Sequence, residues 1–166
     1  MTLPDLVGSV RDEAGDSGIP ARTIEIAARA ALRQMSEEQA HGPHAKDFER
    51  EQALTLDADG AVDVPADFLP GYISRVTKAD LTPTELVMVA GRAAFTYQFC
   101  AEFGLFAVEQ GKIWTSPPAA VQGPLVGDIL ATAIAIPTLA ALKDKYKPDL
   151  VNLVVGIVPG LMKAKG

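Results

Sequence analysis

The sequence predicts an α+β fold, in which an N-terminal helical pair and a C-terminal helix accompany a small antiparallel β-sheet with a hairpin. Apolar residues recur at helical spacing near both ends of the chain, alternate with polar residues through the middle, and are separated there by glycine-containing turns. The chain has 166 residues, 48% hydrophobic and 22% charged, which is enough to bury a core and typical of folded proteins. We therefore expect a single domain over 1–166, with a helical part (1–48), a β-rich part (49–140) and a C-terminal helix and tail (141–166).

Two helices are predicted in the helical part. Thr2 is suited to cap a short helix that has Pro4 in its first turn, and Gly15 and Gly18 are expected to end that helix. Its apolar stripe consists of Leu3, Leu6, Val7 and Val10. Pro20 opens a longer helix, whose charged face we interpret as a solvated surface. The apolar stripe of this second helix consists of Ile24, Ala28, Ala31, Leu32 and Met35.

Turn residues divide the following region into strands. The run Asp57–Gly60 predicts a hairpin turn between two alternating segments, because Gly60 can take a positive φ. The two segments are Gln52–Leu56 and Ala61–Pro65. After them, the pattern predicts a strand around Tyr72–Val76, a strand over Glu85–Val89 and a short helix over Ala90–Phe99.

The stretch Val108–Ala119, VEQGKIWTSPPA, belongs to a second predicted hairpin. Strand Leu105–Val108 leads into a Gln110-Gly111 turn, and strand Lys112–Thr115 leads out, because glycine at the second loop position permits a tight two-residue turn. Trp114, the only tryptophan, is expected to pack on the sheet, and the alternative is an exposed contact residue.

The last predicted elements are a strand and a helix. Gly127–Pro137 is rich in β-branched residues and apolar on both faces, which favours a strand over a helix. Asp149 follows Pro148 near the start of a terminal helix, which Pro159 is expected to kink or end. The stripe of this helix consists of Leu150, Leu153, Val154 and Ile157.

Charge is distributed unevenly along the chain. The net charge is −6, which argues against binding to nucleic acid through phosphate neutralisation. After Asp128, five lysines stand against Asp144 and Asp149, so this segment carries +3 and the rest of the chain carries −9. The sequence is thus an acidic body with a mildly basic C-terminal segment.

No pattern in the sequence indicates catalysis, and we expect no enzyme, no cofactor and no metal site. Phosphate-loop, nucleophile-elbow, HExxH and CxxC motifs are absent. Cys100 is the only cysteine, so an internal disulfide is excluded, a reducing compartment is the default, and we expect a buried small hydrophobe. His41 and His44 are expected in a polar loop, and Asp57–Gly60 lacks the ligand spacing of a calcium loop.

The chain is not expected to enter a membrane. Its first residues lack the basic start and apolar run of a secretory signal. The most apolar region, Pro124–Ala141, is interrupted by Asp128 and Pro137, whereas a bilayer span needs roughly 20 mostly apolar residues.

The order of the segments resembles the head-to-tail adaptor (connector) proteins of tailed bacteriophages. The resemblance lies in RTIEIAARAALRQMSEEQ, LTLDADGAVDVPADFLPGYISRVT, FAVEQGKIWTSPPA, ATAIAIPTLA and YKPDLVNLVVGIVPGLM, taken in this order and spacing. It covers most of the chain. What it implies is a binding protein of the virion neck, made in the host cytoplasm, that forms a ring, typically a dodecamer, below the portal. Its implied partners are the portal protein, a tail or nozzle/stopper protein, further copies of itself and passing DNA without sequence-specific binding.

On this resemblance, an assembly interface is expected at the basic C-terminal segment and at the hairpin. The residues concerned are Lys143, Lys145, Lys147, Lys163, Lys165 and Trp114. The lysines are expected to dock on an acidic surface of a neighbouring subunit or of the portal. One alternative is a neck stopper or tail-completion protein. A second is a small membrane-active protein that uses Pro124–Ala141 and the terminal helix.

Overall fold

The computed structural model describes residues 1–97 and 102–165, with only the backbone for 97, 164 and 165. In this part of the chain the helices are α1 (Leu3–Ala14), α2 (Ala21–Gln39) and α3 (Lys147–Lys165), with short 3₁₀ helices over Ala45–Phe48, Arg92–Tyr97 and Asp144–Tyr146. The strands are β1 (Glu49–Leu56), β2 (Ala61–Asp63), β3 (Phe68–Thr77), β4 (Val87–Met88), β5 (Leu105–Glu109), β6 (Lys112–Ser116) and β7 (Gly127–Ala135). The predicted α+β class is confirmed.

The chain divides into two compact units. Unit 1 is made of Met1–Phe48 together with Ile136–Gly166, and unit 2 is Glu49–Ala135. Unit 1 contains all three α-helices of the described residues, and unit 2 contains the strands. The helical unit is therefore assembled from two segments that lie far apart in the sequence.

The ends of α1 follow the local chemistry of the sequence. Thr2 Oγ1 accepts a hydrogen bond from the Asp5 amide at 3.3 Å, and the Asp5 carboxylate accepts one from the Thr2 amide at 3.2 Å. This reciprocal capping box satisfies two amides that the first turn leaves without helical partners. Gly15 ends the helix with φ 66°, a left-handed conformation that favours glycine. Both predicted ends of α1 are confirmed.

The core of unit 1 lies between the apolar stripes of the helices. The α2 stripe predicted from the sequence is buried throughout. In α3 the buried residues are Leu150, Val154 and Val158, while Leu153 and Ile157 are half-buried. Burying one such aliphatic side chain is worth about 1.5–3 kcal/mol, so these contacts account for most of what holds the helices together.

Pro159 does not end the terminal helix. α3 continues through it to Lys165, so of the two expected outcomes, a kink or a helix end, the helix end is wrong. Pro159 is exposed, so the carbonyl of Val155 that loses its amide partner lies on the solvent side of the helix and can be hydrated.

Unit 2 contains two sheets, where the sequence predicted one antiparallel sheet. The first has the strand order β1-β7-β3 and is antiparallel, and the second has the order β2-β6-β5-β4, with β4 parallel to β5. One apolar core draws on strands of both sheets. Its buried members are Leu56, Phe68, Ile73, Val76, Leu86, Phe106, Ile113, Leu125, Ile129, Ala131, Ala133 and Ala135.

The turn after β1 leads from one sheet to the other. Asp57 donates its amide to the Ala61 carbonyl at 2.7 Å, and Gly60 has φ 76°, so the predicted turn is present. The predicted hairpin pairing is wrong, however, because β1 pairs with β7 and β2 pairs with β6. The turn residues therefore predict that the chain reverses direction, but they do not predict which strands β1 and β2 pair with.

The chain also passes between the two sheets in the extended segment 84–89. Leu86 donates its amide to the Val76 carbonyl of β3 at 2.9 Å. Val87 donates to the Gly104 carbonyl beside β5, also at 2.9 Å. The predicted strand over Glu85–Val89 is therefore extended, but it is shared between the two sheets.

The remaining predictions for this region have mixed outcomes. The β5–β6 hairpin is confirmed, with Gln110 at φ 54° and Gly111 at φ 74° in its turn. The strand predicted over Gly127–Pro137 is also confirmed, as β7. The short helix predicted over Ala90–Phe99 is a 3₁₀ helix over Arg92–Tyr97, and its last two predicted residues lie outside the described part, as does Cys100. Among the helices that the structure describes, none has the length and apolar character required to cross a bilayer.

Candidate assembly surfaces

Two of the lysines predicted to form an interface, Lys143 and Lys145, contact the same aspartate of unit 1. Lys143 Nζ lies 2.5 Å from Asp47 Oδ1, and Lys145 Nζ lies 2.6 Å from Asp47 Oδ2. The hydroxyl of Tyr146 donates to Asp47 Oδ2 at 2.6 Å. The ring of Tyr146 also meets Phe48 edge to face, with 5.0 Å between ring centroids. One carboxylate thus ties the segment before β1 to the segment before α3.

The contacts around Asp47 perturb the ionisation of the groups involved. Hydrogen bonds from Lys143, Lys145 and the Tyr146 hydroxyl hold the pKa of Asp47 well below its usual range. The Asp47 carboxylate in turn raises the pKa of Lys145. Burial, followed by the hydrogen bond to Asp47, raises the pKa of Tyr146. All three groups therefore keep their usual charge states at neutral pH.

The other lysines of the predicted interface differ in their surroundings. Lys147 pairs with Asp144, which raises the pKa of Lys147 and lowers that of Asp144. Lys163 is exposed on the last part of α3, and the side chain of Lys165 lies outside the described residues. The structure thus brings Lys143 and Lys145 together on one carboxylate. Sequence reasoning missed Asp47, because 96 positions separate it from Lys143 and no motif marks it.

Trp114 lies on the outer face of the β5–β6 hairpin. Its strand neighbours Ile113 and Thr115 point into unit 2, and the indole itself is half-buried. The Arg92 guanidinium carbon lies 3.5 Å from the centre of the Trp114 ring, a stacking distance for a cation–π contact. Trp114 Nε1 donates to the Glu109 carbonyl at 3.2 Å. The ring therefore packs on its own hairpin and remains partly accessible.

Glu109 completes this cluster. Its side-chain oxygen Oε2 accepts a hydrogen bond from the Arg92 amide at 3.1 Å, so it positions the cation that covers the indole. Sequence analysis named Trp114 alone. Arg92 lies 22 positions before it in the chain, and the two come together only in the fold, where Glu109 holds the Arg92 amide.

Two shallow grooves flank the segment that crosses between the sheets of unit 2. One has a volume of about 410 Å³ and is lined mainly by apolar residues, including Leu86, Val87, Met88, Phe103 and Phe106. The other has a volume of about 480 Å³ and lies over the outer face of the β1-β7-β3 sheet, where Leu130 is surrounded by Arg75, Thr77 and Asp128. Both grooves are open to solvent.

A smaller groove of about 250 Å³ lies in unit 1 between the end of α2 and the start of α3. It combines the apolar residues Met35 and Leu153 with carboxylates and amides of both helices. The polar residues lining it are Glu38, Gln39, Asp149 and Asn152, together with Tyr146. Within the described residues, no group of histidine, cysteine, aspartate or glutamate side chains is arranged to hold a metal ion.

A scan of the sequence against models of known protein families gave no match. A search of curated proteins likewise gave no significant match.

Proposed function

We propose that this protein is a structural component of a tailed bacteriophage, a head-to-tail adaptor that forms a ring below the portal. It would extend the DNA channel toward the tail and dock the tail or a stopper protein. The observation that carries the proposal is the order and spacing of five sequence segments that resemble adaptor proteins. These segments form α2, the run from β1 to β3, the β5–β6 hairpin, β7 and α3.

The surface of the protein supports a role in binding. Several large apolar residues of unit 2 are exposed, and a tryptophan stacked with an arginine lies on the hairpin. Tryptophan and arginine are enriched among the residues that contribute most energy to protein interfaces. The net charge of −6 also suits a conduit for DNA, because like charge discourages the duplex from adhering.

The lysine cluster supports docking on an acidic neighbour. Each lysine ammonium has three donors, and Lys143 and Lys145 remain exposed while one donor of each is held by Asp47. These side chains are therefore held in place before a partner arrives, which reduces the entropy lost on binding. Lys163 adds an exposed charge to the same basic segment of the chain.

The proposal is tested by mixing the purified protein with the portal protein encoded in the same genome. Negative-stain microscopy and mass photometry should show one added ring on the portal, at a fixed ratio of subunits. A protein that remains a lone monomer beside the portal, or that turns over a substrate, would exclude the adaptor role. Binding to tail proteins without binding to the portal would indicate a stopper or tail-completion protein, and flotation with liposomes would indicate membrane activity.

A further inference from the structure

The groove of unit 1 between the end of α2 and the start of α3 combines apolar and acidic side chains. Met35 is buried and Leu153 is half-buried, whereas Glu38 and Asp149 are exposed, and all four line the groove. Lysine and arginine side chains have the same two-part character, because a long aliphatic stem carries a charged head. The lining therefore matches a long basic side chain better than a purely apolar one.

The two carboxylates of the groove are not neutralised by a basic residue of the chain. Among the residues that the structure describes, neither Glu38 nor Asp149 forms an ion pair with a lysine or an arginine. Glu38 accepts a hydrogen bond from the neutral side-chain amide of Gln34, at 3.0 Å. A cation that enters the groove would therefore meet two carboxylates whose charge no lysine or arginine offsets.

The end of α2 adds a second, independent preference for a cation. Carbonyls in the last turn of a helix lack amide partners, and the helix dipole places partial negative charge there, so basic side chains normally stabilise this end. The last turn of α2 has no basic residue and instead contains Glu37 and Glu38. A basic group bound in the groove would supply the cation that this helix end lacks.

The basic C-terminal segment of the same chain does not fill the groove. Its lysines near the start of α3 contact other carboxylates of unit 1. These lysines are Lys143, Lys145 and Lys147. Lys163 is 14 positions from Asp149 along α3, which corresponds to roughly 21 Å along the axis of one continuous helix. The cation must therefore come from another molecule.

The volume of the groove, about 250 Å³, indicates the size of the occupant. Pockets for drug-sized molecules measure roughly 300–1,000 Å³. A smaller groove between two helices suits one or two side chains of another polypeptide rather than a cofactor.

A separate protein is favoured over a second copy as the source of the basic side chain. The chain carries a net charge of −6, so two copies repel each other at long range, whereas a basic protein is attracted. Charge complementarity therefore selects a partner that carries its own basic surface.

We propose that the groove between α2 and α3 binds a basic segment of a partner protein, in which a lysine or arginine stands beside an apolar residue. The charged head contacts Glu38 and Asp149, and the aliphatic stem and its apolar neighbour lie against Met35 and Leu153. This contact goes beyond the proposed function and does not depend on it, because every residue that forms it belongs to unit 1 of this chain.

Two blocked peptides test the proposal with the whole chain. Acetyl-GALKAG-amide carries one lysine beside apolar residues, and acetyl-GALQAG-amide has a neutral glutamine in its place. NMR titration of the ¹⁵N-labelled protein should show the lysine peptide binding about tenfold more tightly, as expected for charge-assisted hydrogen bonds. The side-chain amide signals of Gln39 and Asn152, which line the groove, should shift during the titration. Equal affinity for the two peptides would overturn the proposal.

Neighbouring glutamates at the end of α2 provide a matched pair of variants. Glu38→Gln should weaken binding of the lysine peptide about threefold and leave binding of the glutamine peptide unchanged, because it removes one carboxylate and keeps the shape of the side chain. Glu37→Gln makes the same change at a residue that does not line the groove, and it should leave both affinities unchanged. Asp149→Asn tests the α3 side and should behave like Glu38→Gln. Equal effects of Glu38→Gln and Glu37→Gln would reduce the binding to general acidity and contradict the proposal.

Two further measurements test the groove itself and the identity of its occupant. Leu153→Ala should weaken binding of both peptides to a similar extent, and circular dichroism checks that the variant folds. Unchanged affinities in this variant would show that surface charge alone holds the cation, which would overturn the proposal. Sedimentation velocity tests for a second copy. Self-association that Glu38→Gln and Lys163→Glu both abolish would place the end of another copy's α3 in the groove, and would overturn the assignment to a separate partner.

Discussion

The backbone carbonyl of Gly60 accepts two hydrogen bonds from Thr115, one from its amide at 3.0 Å and one from its hydroxyl at 2.5 Å. Gly60 ends the turn that leads out of β1, and Thr115 is a buried residue of β6. A Cβ at Gly60 would lie 3.0 Å from the Thr115 hydroxyl oxygen, so the absence of a side chain allows this approach. The pair fixes the point at which the chain passes from one sheet to the other.

Thr115→Val should lower the free energy of unfolding by about 1 kcal/mol, the usual net value of a buried hydrogen bond. Urea denaturation measures the change. Thr55→Val is the matched control, because its hydroxyl bonds Asp128 at an exposed position, and we expect a change below about 0.5 kcal/mol. If both variants lost the same free energy of unfolding, the hydrogen bond from Thr115 to Gly60 would make no specific contribution to stability.

Asp47→Asn should lower the melting temperature at neutral pH, because Lys143 and Lys145 lose their shared carboxylate. The folded protein lowers the pKa of Asp47, so its contribution is complete above the unfolded pKa of about 4 and is lost as the pH falls below that value. The difference in melting temperature between wild type and variant should therefore shrink between pH 6 and pH 3. The exposed Asp12 of α1 gives the control, Asp12→Asn. A difference that stays constant with pH would rule out a role for the charge of Asp47.

Arg92→Ala should make Trp114 more accessible to solvent, because the guanidinium covers one face of the ring. The emission of the single tryptophan reports on this site alone, and we expect stronger quenching by acrylamide together with a loss of roughly 0.5–1 kcal/mol in stability. Arg29→Ala, on the exposed face of α2, should leave the quenching unchanged. Unchanged quenching in Arg92→Ala would mean that the stack does not persist in solution.

Lys163→Glu should weaken association with the portal, and added salt should weaken association of the wild type, because charges on a surface are screened over about 8 Å at physiological ionic strength. Lys163 is preferred to Lys143 or Lys145 for this test, since changing those residues would also break the contact with Asp47. Lys46→Glu makes the same charge change outside the C-terminal segment and serves as control. Portal binding that is unchanged at low salt would discard the docking role of the lysines.

Much of unit 1 could be predicted from the sequence, because its signals are local. Thr2 and Gly15 mark the ends of α1 through interactions within a few residues, and the helical stripes identify the buried faces directly. Pro159 shows the limit of such signals. A proline lacks the amide of a helical hydrogen bond wherever it lies, but the consequence depends on whether the freed carbonyl can be hydrated.

The sheets of unit 2 were harder to predict because pairing is a long-range property. The turn at Asp57–Gly60 was recognised, yet β1 pairs with β7, more than 70 residues away along the chain. The two-residue strand β4 is too short to show an alternation of apolar and polar residues. Its parallel pairing with β5 therefore could not be predicted from the sequence.

In the candidate surfaces, too, the sequence indicates local features but not long-range contacts. Trp114 and the lysines stand out by residue type, whereas Arg92 and Asp47 become relevant only through contacts that the fold creates. An ordinary aspartate in an acidic chain gives no indication that it binds two lysines and a tyrosine. Partners of this kind require a structure to identify.

The division of unit 1 between both ends of the chain has a consequence for biosynthesis. α1 and α2 leave the ribosome early, but α3, against which they bury their stripes, is translated last. At roughly 5–20 residues per second, the gap of more than 100 residues between α2 and α3 takes on the order of ten seconds to synthesise. All residues of unit 2 are synthesised before α3, so the nascent β-strands can fold before α1 and α2 can pack against α3.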